Sequence, residues 1–160
     1  MNREWSDTFG KMLHYDDRWI LQFSNSLQND LSQEEKKEGW KIHKRSAYGN
    51  FRCGACSRGW PSAQVTVLFH YRLCTEMGQG TVIMQTFGQA CRRCNKGFEQ
   101  PAFSTEEVKK VLLKLTDKIK KNCYGEEGFD NACFSLKLPT KPHERSLCEA
   151  CRKGICSLED

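Results

Sequence analysis

Six of the ten cysteines fall in three Cys-x-x-Cys pairs, Cys53/Cys56, Cys91/Cys94 and Cys148/Cys151. Two thiolates three residues apart on a tight turn chelate one Zn²⁺ without strain, and two such pairs complete a tetrahedral structural site. The competing use of so many cysteines is a disulfide scaffold. The N-terminal stretch MNREWSDTFG lacks the apolar run of a secretory signal. A reducing compartment is therefore expected, where disulfides are rare, and the spacing is read as metal binding. Between the first two pairs lie strand-like runs Gln64–Leu73 and Thr81–Phe87, separated by the turn residues Met77-Gly78-Gln79-Gly80. A hairpin there brings the two pairs together, which favours one site built from Cys53, Cys56, Cys91 and Cys94.

The last cluster reads His143-x4-Cys148-x2-Cys151-x4-Cys156. Three thiols and one imidazole are chemically sufficient for a second zinc site. An interleaved arrangement, with Cys148/Cys151 sharing a metal with either earlier pair, is also possible, and spacing does not exclude it. Both arrangements need two Zn²⁺, each contributing on the order of 10 kcal/mol to folding. Cys74, Cys123 and Cys133 are read as ordinary thiols. His70, inside Val67-Leu68-Phe69-His70-Tyr71, is read as a core-edge residue, and His14 and His43 carry no signal.

No enzyme is expected. Fully ligated cysteine sites are structural, whereas catalytic zinc keeps an open position. The H-x-E and P-C-x-x-C pattern of a zinc deaminase is missing, and no glycine-rich phosphate loop is present.

The formal charge is +5. Seven thiolates around two Zn²⁺ would leave the loaded chain near +2, so net charge is a weak argument for nucleic acid. The local pattern is stronger: residues 81–124 carry nine Lys or Arg against four acids. Arg52, Arg58, Arg92, Arg93 and Lys96 surround the knuckles, and Phe51, Trp60 or Phe98 offer faces for unpaired bases. A second candidate surface, for a protein partner, combines Trp5, Phe9, Trp60, Phe98 and Phe103 with the lysine-rich helix. Trp19 and Trp40 are read as core.

The elements that must position these groups are legible in outline. Trp5, Phe9, Met12 and Leu13 have helical spacing over 3–13, and Trp19–Phe23 reads as a strand. Ser32 and Glu35 form a capping-box pattern that predicts a helix running to about Ala47, weakened by Gly39. Ser104-Thr105-Glu106-Glu107 caps a helix over 104–122, with Val108, Val111, Leu112, Leu115 and Ile119 on one face. Phe134–Leu138 reads as a short strand. There are no repeats, no low-complexity tract and no apolar run long enough to span a membrane. At 38% hydrophobic residues the core is modest. The expected fold class is α+β: a small zinc-stabilised domain with antiparallel β-hairpins, zinc knuckles and two or three amphipathic helices. It is read as one domain over 1–160. Residues 1–47 form a helix/strand/helix region and 48–103 the knuckle-hairpin core. A basic amphipathic helix occupies 104–124, and 125–160 hold a loop, a strand and the C-terminal zinc cluster.

Four strings resemble the receptor-transporting protein family, a three-CxxC zinc-finger class, over nearly the whole chain. They are Ala47-Tyr48-Gly49-Asn50-Phe51-Arg52-Cys53-x2-Cys56-x3-Trp60-x-Ser62-Ala63-x-Val65, Phe87-Gly88-Gln89-x-Cys91-x2-Cys94, Cys123-Tyr124-Gly125-Glu126, and His143-x4-Cys148-Glu149-Ala150-Cys151-x2-Gly154. The resemblance implies a zinc domain on the cytoplasmic face of ER, Golgi or plasma membranes, tethered by a C-terminal transmembrane anchor. It also implies a role in bringing odorant, taste and other G-protein-coupled receptors to the cell surface. One branch of the family is interferon-induced, antiviral and RNA-associated, and the related zygote arrest proteins bind mRNA. Cys156 in the Gly-Ile-Cys ending suits the interferon-induced branch, whereas Cys123-Tyr124-Gly125-Glu126 suits the receptor-trafficking branches. Viral or cellular RNA is therefore a second partner class, and a homo-oligomer is allowed. The implied anchor is not within these 160 residues, so the chain by itself is expected to be soluble.

Overall fold

The computed structural model describes residues 2–94, 97–125 and 147–153. Its elements are helix α1 (Asn2–Gly10), strand β1 (Arg18–Phe23), helix α2 (Gln33–Lys37), strands β2 (Lys41–Arg52), β3 (Gly59–Cys74) and β4 (Gln79–Thr86), and helices α3 (Thr105–Tyr124) and α4 (Glu149–Arg152). One four-stranded sheet has the order β1-β4-β3-β2. Four residues join β3 to β4 and six join β2 to β3, too few for a parallel crossover, so these neighbours form the expected antiparallel hairpins. The edge strand β1 lies parallel to β4, in a register running from Arg18↔Gln79 to Phe23↔Met84. The fold is α+β with a mixed sheet. The parallel edge was not legible locally, because it depends on a partner some 60 residues away.

The capping box at α2 forms: the Glu35 N–H donates to Ser32 Oγ (3.1 Å) and the Ser32 N–H to Glu35 Oε1 (3.0 Å). Those Ser32 contacts hold the Glu35 carboxyl below its ordinary value. The helix does not continue to Ala47. Gly39 adopts φ +97°, a conformation that ends the helix and favours glycine. The chain beyond enters β2, where Ala47, Gly49 and Phe51 are buried while Asn50 and Arg52 are exposed. That period of two is a strand pattern, and pairing with β3 overrides the local helical preference of Lys41–Ala47.

The described residues form two compact units. The first takes the chain up to His43, Leu68–Gln85 and α3 from Val108 onward. Its core includes Trp5, Phe9, Leu68, Tyr71, Leu112 and Leu115. Trp5 and Phe9, at i and i+4 of α1, are each only 1% exposed, so they are core residues and not part of a partner surface. Trp19 and Trp40 are half-buried, and the Arg72 guanidinium lies 5.4 Å from the Trp40 ring centroid. Helix α3 buries the expected stripe Val108, Val111, Leu112, Leu115 and Ile119, and adds Thr116. Lys109, Lys118 and Lys121 stay exposed. Buried His70 places Nε2 2.8 Å from the Gln28 carbonyl oxygen, as a core-edge histidine should.

The second unit takes Lys44–Val67, Thr86–Glu107 and residues 147–153. Its core includes Ala47, Phe51, Val65, Phe87 and Ala150. Within it Asn50 and Ala102 exchange two backbone hydrogen bonds (2.8 and 2.7 Å). Ser104 caps α3 by accepting from the Glu107 N–H (3.1 Å), while the Glu107 carboxylate accepts from the Tyr48 N–H (2.9 Å). The strand expected at Phe134–Leu138 lies outside the described residues. No helix among the described residues is long and apolar enough to cross a membrane.

A hydroxyl clasp closes the first unit. Tyr124 OH accepts from Trp19 Nε1 (2.9 Å) and donates to Asp17 Oδ2 (2.8 Å), and its ring stacks on Tyr15 at 3.7 Å. Burial and the Asp17 carboxylate push the Tyr124 hydroxyl up to about 12, against a smaller downward pull from the Trp19 N–H. The folded state thus keeps a proton that the unfolded chain releases near pH 10. The resulting stability is complete below pH 10 and is lost as pH rises through 12. Tyr124→Phe is expected to cost about 1–2 kcal/mol at neutral pH. Denaturant midpoints measured from pH 8 to 12 should fall less steeply for the variant than for the parent.

Candidate metal centre

Cys53 ends β2, and a tight loop follows it. The Ser57 N–H donates to the Cys53 carbonyl (2.9 Å) and the Cys53 N–H to the Arg58 carbonyl (2.8 Å). Ser57 has φ +60°, the one positive value at a non-glycine residue among the described residues. This turn presents Cys53 and Cys56 on one side. Phe51 stacks on Trp60 at 5.4 Å behind it, joining the start of β3 to the end of β2. Cys91 and Cys94 follow β4 after the short run Gly88-Gln89-Ala90.

The hairpin does what its spacing predicted. The four sulfurs of Cys53, Cys56, Cys91 and Cys94 lie within 4.8 Å of one another, and Cys56 Sγ is 3.7 Å from Cys91 Sγ. A zinc–sulfur bond of about 2.3 Å gives a tetrahedral sulfur–sulfur edge of about 3.8 Å, so the donor set fits zinc. The backbone N–H groups of Cys94 and then Arg93 draw the Cys91 thiol down to about 6. The Cys94 thiol goes up to about 12, because it shares protons with Cys56 and Cys53. Four crowded sulfurs cannot all be anions by themselves; a dication displaces the protons and offsets the repulsion. Cys53 and Cys91 are buried, and Cys56 and Cys94 half-buried. With all positions filled by thiolate the ion is a structural crosslink, and no open position is left for chemistry.

The third pair repeats the local geometry. The Cys151 N–H points at Cys148 Sγ (3.4 Å), as the Cys94 N–H does at Cys91 Sγ. It is docked beside the second pair by a short ladder. The Ala90 N–H donates to the Leu147 carbonyl (2.8 Å), and the Glu149 N–H to the Gly88 carbonyl (3.1 Å). The Gly88 N–H donates to Glu149 Oε1 (2.7 Å). The two strings Phe87-Gly88-Gln89-x-Cys91 and Cys148-Glu149-Ala150-Cys151 are therefore two halves of one contact. Gly88 has no room for a side chain, since a Cβ there would sit 2.3 Å from the Glu99 carbonyl oxygen. Among the described residues only the first four cysteines form a complete ligand cluster. Cys148 and Cys151 are not members of that cluster. His143 and Cys156 lie outside the described residues, as does Lys96.

Three residues not singled out from the sequence hold this arrangement. Gln89 accepts from Trp60 Nε1 (3.0 Å) and donates to Ser62 Oγ (2.8 Å). Its backbone exchanges two hydrogen bonds with Glu99. Glu99 Oε1 accepts from the Gly54 N–H (3.2 Å), inside the first knuckle. Glu149 is the third. Gln89 and Glu149 stand within motif strings, and an acid beside a Cys-x-x-Cys pair was the available signal. Among the basic candidates, Arg52, Arg92 and Arg93 are exposed, and half-buried Arg58 covers the Trp60 ring at 5.8 Å. Cys74 and Cys123 are half-buried and lie outside the ligand cluster, with burial pushing the Cys123 thiol up. Cys133 lies outside the described residues.

Comparison with known proteins agrees with this site. A three-CxxC zinc-ribbon family model, described as a zinc-binding domain, matches residues 46–154. The chain is 33% identical to human receptor-transporting protein 4 over 159 residues, covering 95% of this chain and 63% of that protein. It is 33% identical to mouse receptor-transporting protein 4 over 162 residues (96% of this chain, 65% of that one). With mouse receptor-transporting protein 3 the identity is 31% over 166 residues (98% and 34%). The chain thus spans less than two thirds of the length of these curated relatives. No solved structure matches.

Cys56→Ser or Cys94→Ser should each remove one zinc ion in native mass spectrometry, whereas Cys74→Ser and Cys123→Ser should retain it. Gly88→Ala should lower stability by about 1–3 kcal/mol in denaturant titrations, because the clash is with backbone and not with a flexible side chain.

Proposed function

The chain belongs to the three-CxxC zinc-binding family and is a homologue of the receptor-transporting proteins, and from that premise we propose that it is an accessory protein for receptor export. Its partners on this reading are G-protein-coupled receptors of the odorant and taste type. It acts on the cytoplasmic face of ER, Golgi and plasma membranes, through an anchor beyond these residues. The observation that carries the reading is the similarity to receptor-transporting proteins across 95–98% of the chain. The four-cysteine centre supports it as a rigid, non-catalytic platform: the thiolates hold the ion, and the ion holds the two knuckles. With Trp5 and Phe9 in the core, the aromatic face open to a partner reduces to Trp60, Phe98 and Phe103 in the second unit. Asn50, Phe51, Arg52, Gly59, Trp60, Pro61, Gln100 and Ala102 line an open groove of about 440 Å³ there.

Co-expression with an odorant or taste receptor should raise receptor at the cell surface, and Cys94→Ser should abolish the gain. Arg52→Glu with Trp60→Ala should reduce receptor pull-down in high salt and nuclease while zinc stays bound. A zinc-loaded chain that leaves surface receptor unchanged would sink the proposal.

A second reading, RNA binding, is favoured by the exposure of Arg52, Arg92 and Arg93 around the two knuckles. Affinity for single-stranded RNA should then fall with salt, by a slope of about 0.7 for each phosphate contact. Arg92→Glu with Arg93→Glu should remove it, as fluorescence anisotropy can measure. Unchanged affinity would exclude this patch.

A further inference from the structure

We propose that Glu149 is a positioning residue that couples the third Cys-x-x-Cys pair to the four-cysteine centre, so that metal in that centre controls how firmly Cys148 and Cys151 are held. The proposal needs the four-cysteine centre to bind zinc and is independent of the receptor or RNA reading.

A continuous chain of hydrogen bonds carries the coupling. In the first knuckle the Gly54 N–H is held by Glu99 Oε1 at 3.2 Å. The Glu99 backbone pairs with Gln89 in both directions, at 2.8 and 3.1 Å. Gln89 follows Gly88, and Glu149 grips Gly88 twice: its carboxylate accepts from the Gly88 N–H at 2.7 Å, and its own N–H donates to the Gly88 carbonyl at 3.1 Å. Glu149 stands between Cys148 and Cys151, and Cys91 lies three residues beyond Gly88. Neither glutamate belongs to the ligand cluster.

The carboxylate is also fixed from its far side. Lys153 Nζ lies 3.2 Å from Glu149 Oε2 and 5.6 Å from the Phe87 ring, and the Arg152 guanidinium lies 5.3 Å from the Phe98 ring. Glu149 is therefore preorganised, and its hydrogen bond to Gly88 is charge-assisted and short. Zinc in the four-cysteine centre immobilises Cys91 and, with it, Gly88-Gln89-Ala90. A fixed Gly88 presents its N–H and carbonyl to Glu149 at no further entropic cost, which holds Cys148 and Cys151 in place. Because such coupling is reciprocal, loosening Glu149 must weaken zinc retention at a centre Glu149 does not touch.

The test uses the zinc-loaded chain with Glu149→Ala and Glu149→Gln. Alkylation of Cys148 and Cys151 by N-ethylmaleimide is followed by peptide mass spectrometry. Zinc loss from the four-cysteine centre is followed by chelator competition, with alkylation of Cys53, Cys56, Cys91 and Cys94 in the same digests reporting occupancy of that centre. Glu149→Ala should speed alkylation of both thiols about 5- to 150-fold and weaken retention at the four-cysteine centre by a factor in the same range. Glu149→Gln keeps an oxygen acceptor for the Gly88 N–H but loses the charge and the Lys153 ion pair, so both properties should fall between those of the parent and the alanine variant, which keeps the test informative if the alanine variant folds poorly. Faster alkylation with unchanged zinc retention would reduce Glu149 to a local cap and overturn the proposal. So would a glutamine variant as impaired as the alanine variant, or no change in either readout.

Discussion

Four sulfurs held within 4.8 Å are the constraint on which the second unit depends. Crowded thiolates repel, and the chain segment between Cys56 and Cys91 must close on itself to assemble them, at an entropic cost. A divalent ion offsets both, because it binds the folded arrangement and not the open chain. The Cys94 thiol, raised beside Cys56 and Cys53, registers that crowding in its proton affinity, while the backbone N–H groups of Cys94 and Arg93 draw the Cys91 thiol the other way. The strands serve this closure. The β3/β4 hairpin returns the chain beside its starting point, and the stacked Phe51 and Trp60 fix the knuckle at the end of β2.

Around the centre, residues that are not ligands do the orienting. Glu99 holds the first knuckle through Gly54, Gln89 ties β3 to the second pair through Trp60 and Ser62, and Glu149 holds the third pair through Gly88. Each hydrogen bond is modest on its own, but the ion makes them mutually dependent by removing the alternatives each segment would otherwise sample. Four thiolate donors leave the centre no open coordination position. Beside it, the groove at Trp60 is lined by Arg52, and Arg58 lies over the Trp60 ring.

Where local sequence and tertiary context disagreed, context prevailed for identifiable reasons. The capping box at Ser32 formed as read, yet its helix lasted only to Lys37, since Gly39 turned the chain and β3 supplied backbone partners for Lys41–Arg52. Trp5 and Phe9, expected on a partner surface, are core, because an amphipathic stripe does not say which surface covers it. Helix α3 was read nearly to its ends, because a long 3.6-residue period with a serine cap leaves little alternative.

The metal chemistry, the α+β class and the longest helix were legible in the residues alone, and the meeting of the first two Cys-x-x-Cys motifs was the pairing they favoured. Thiol spacing, hydrophobic period and cap residues are local properties, and a hairpin between two motifs makes their meeting nearly obligatory. Only the tertiary structure decided the parallel placement of β1 on β4, the conversion of Lys41–Ala47 to strand and the docking of the third pair on Gly88. The first and third rest on backbone groups that find partners about 60 residues away, and the second on the neighbouring strand β3. Backbone groups carry no residue-specific mark, so their choice of partner is settled when the chain packs.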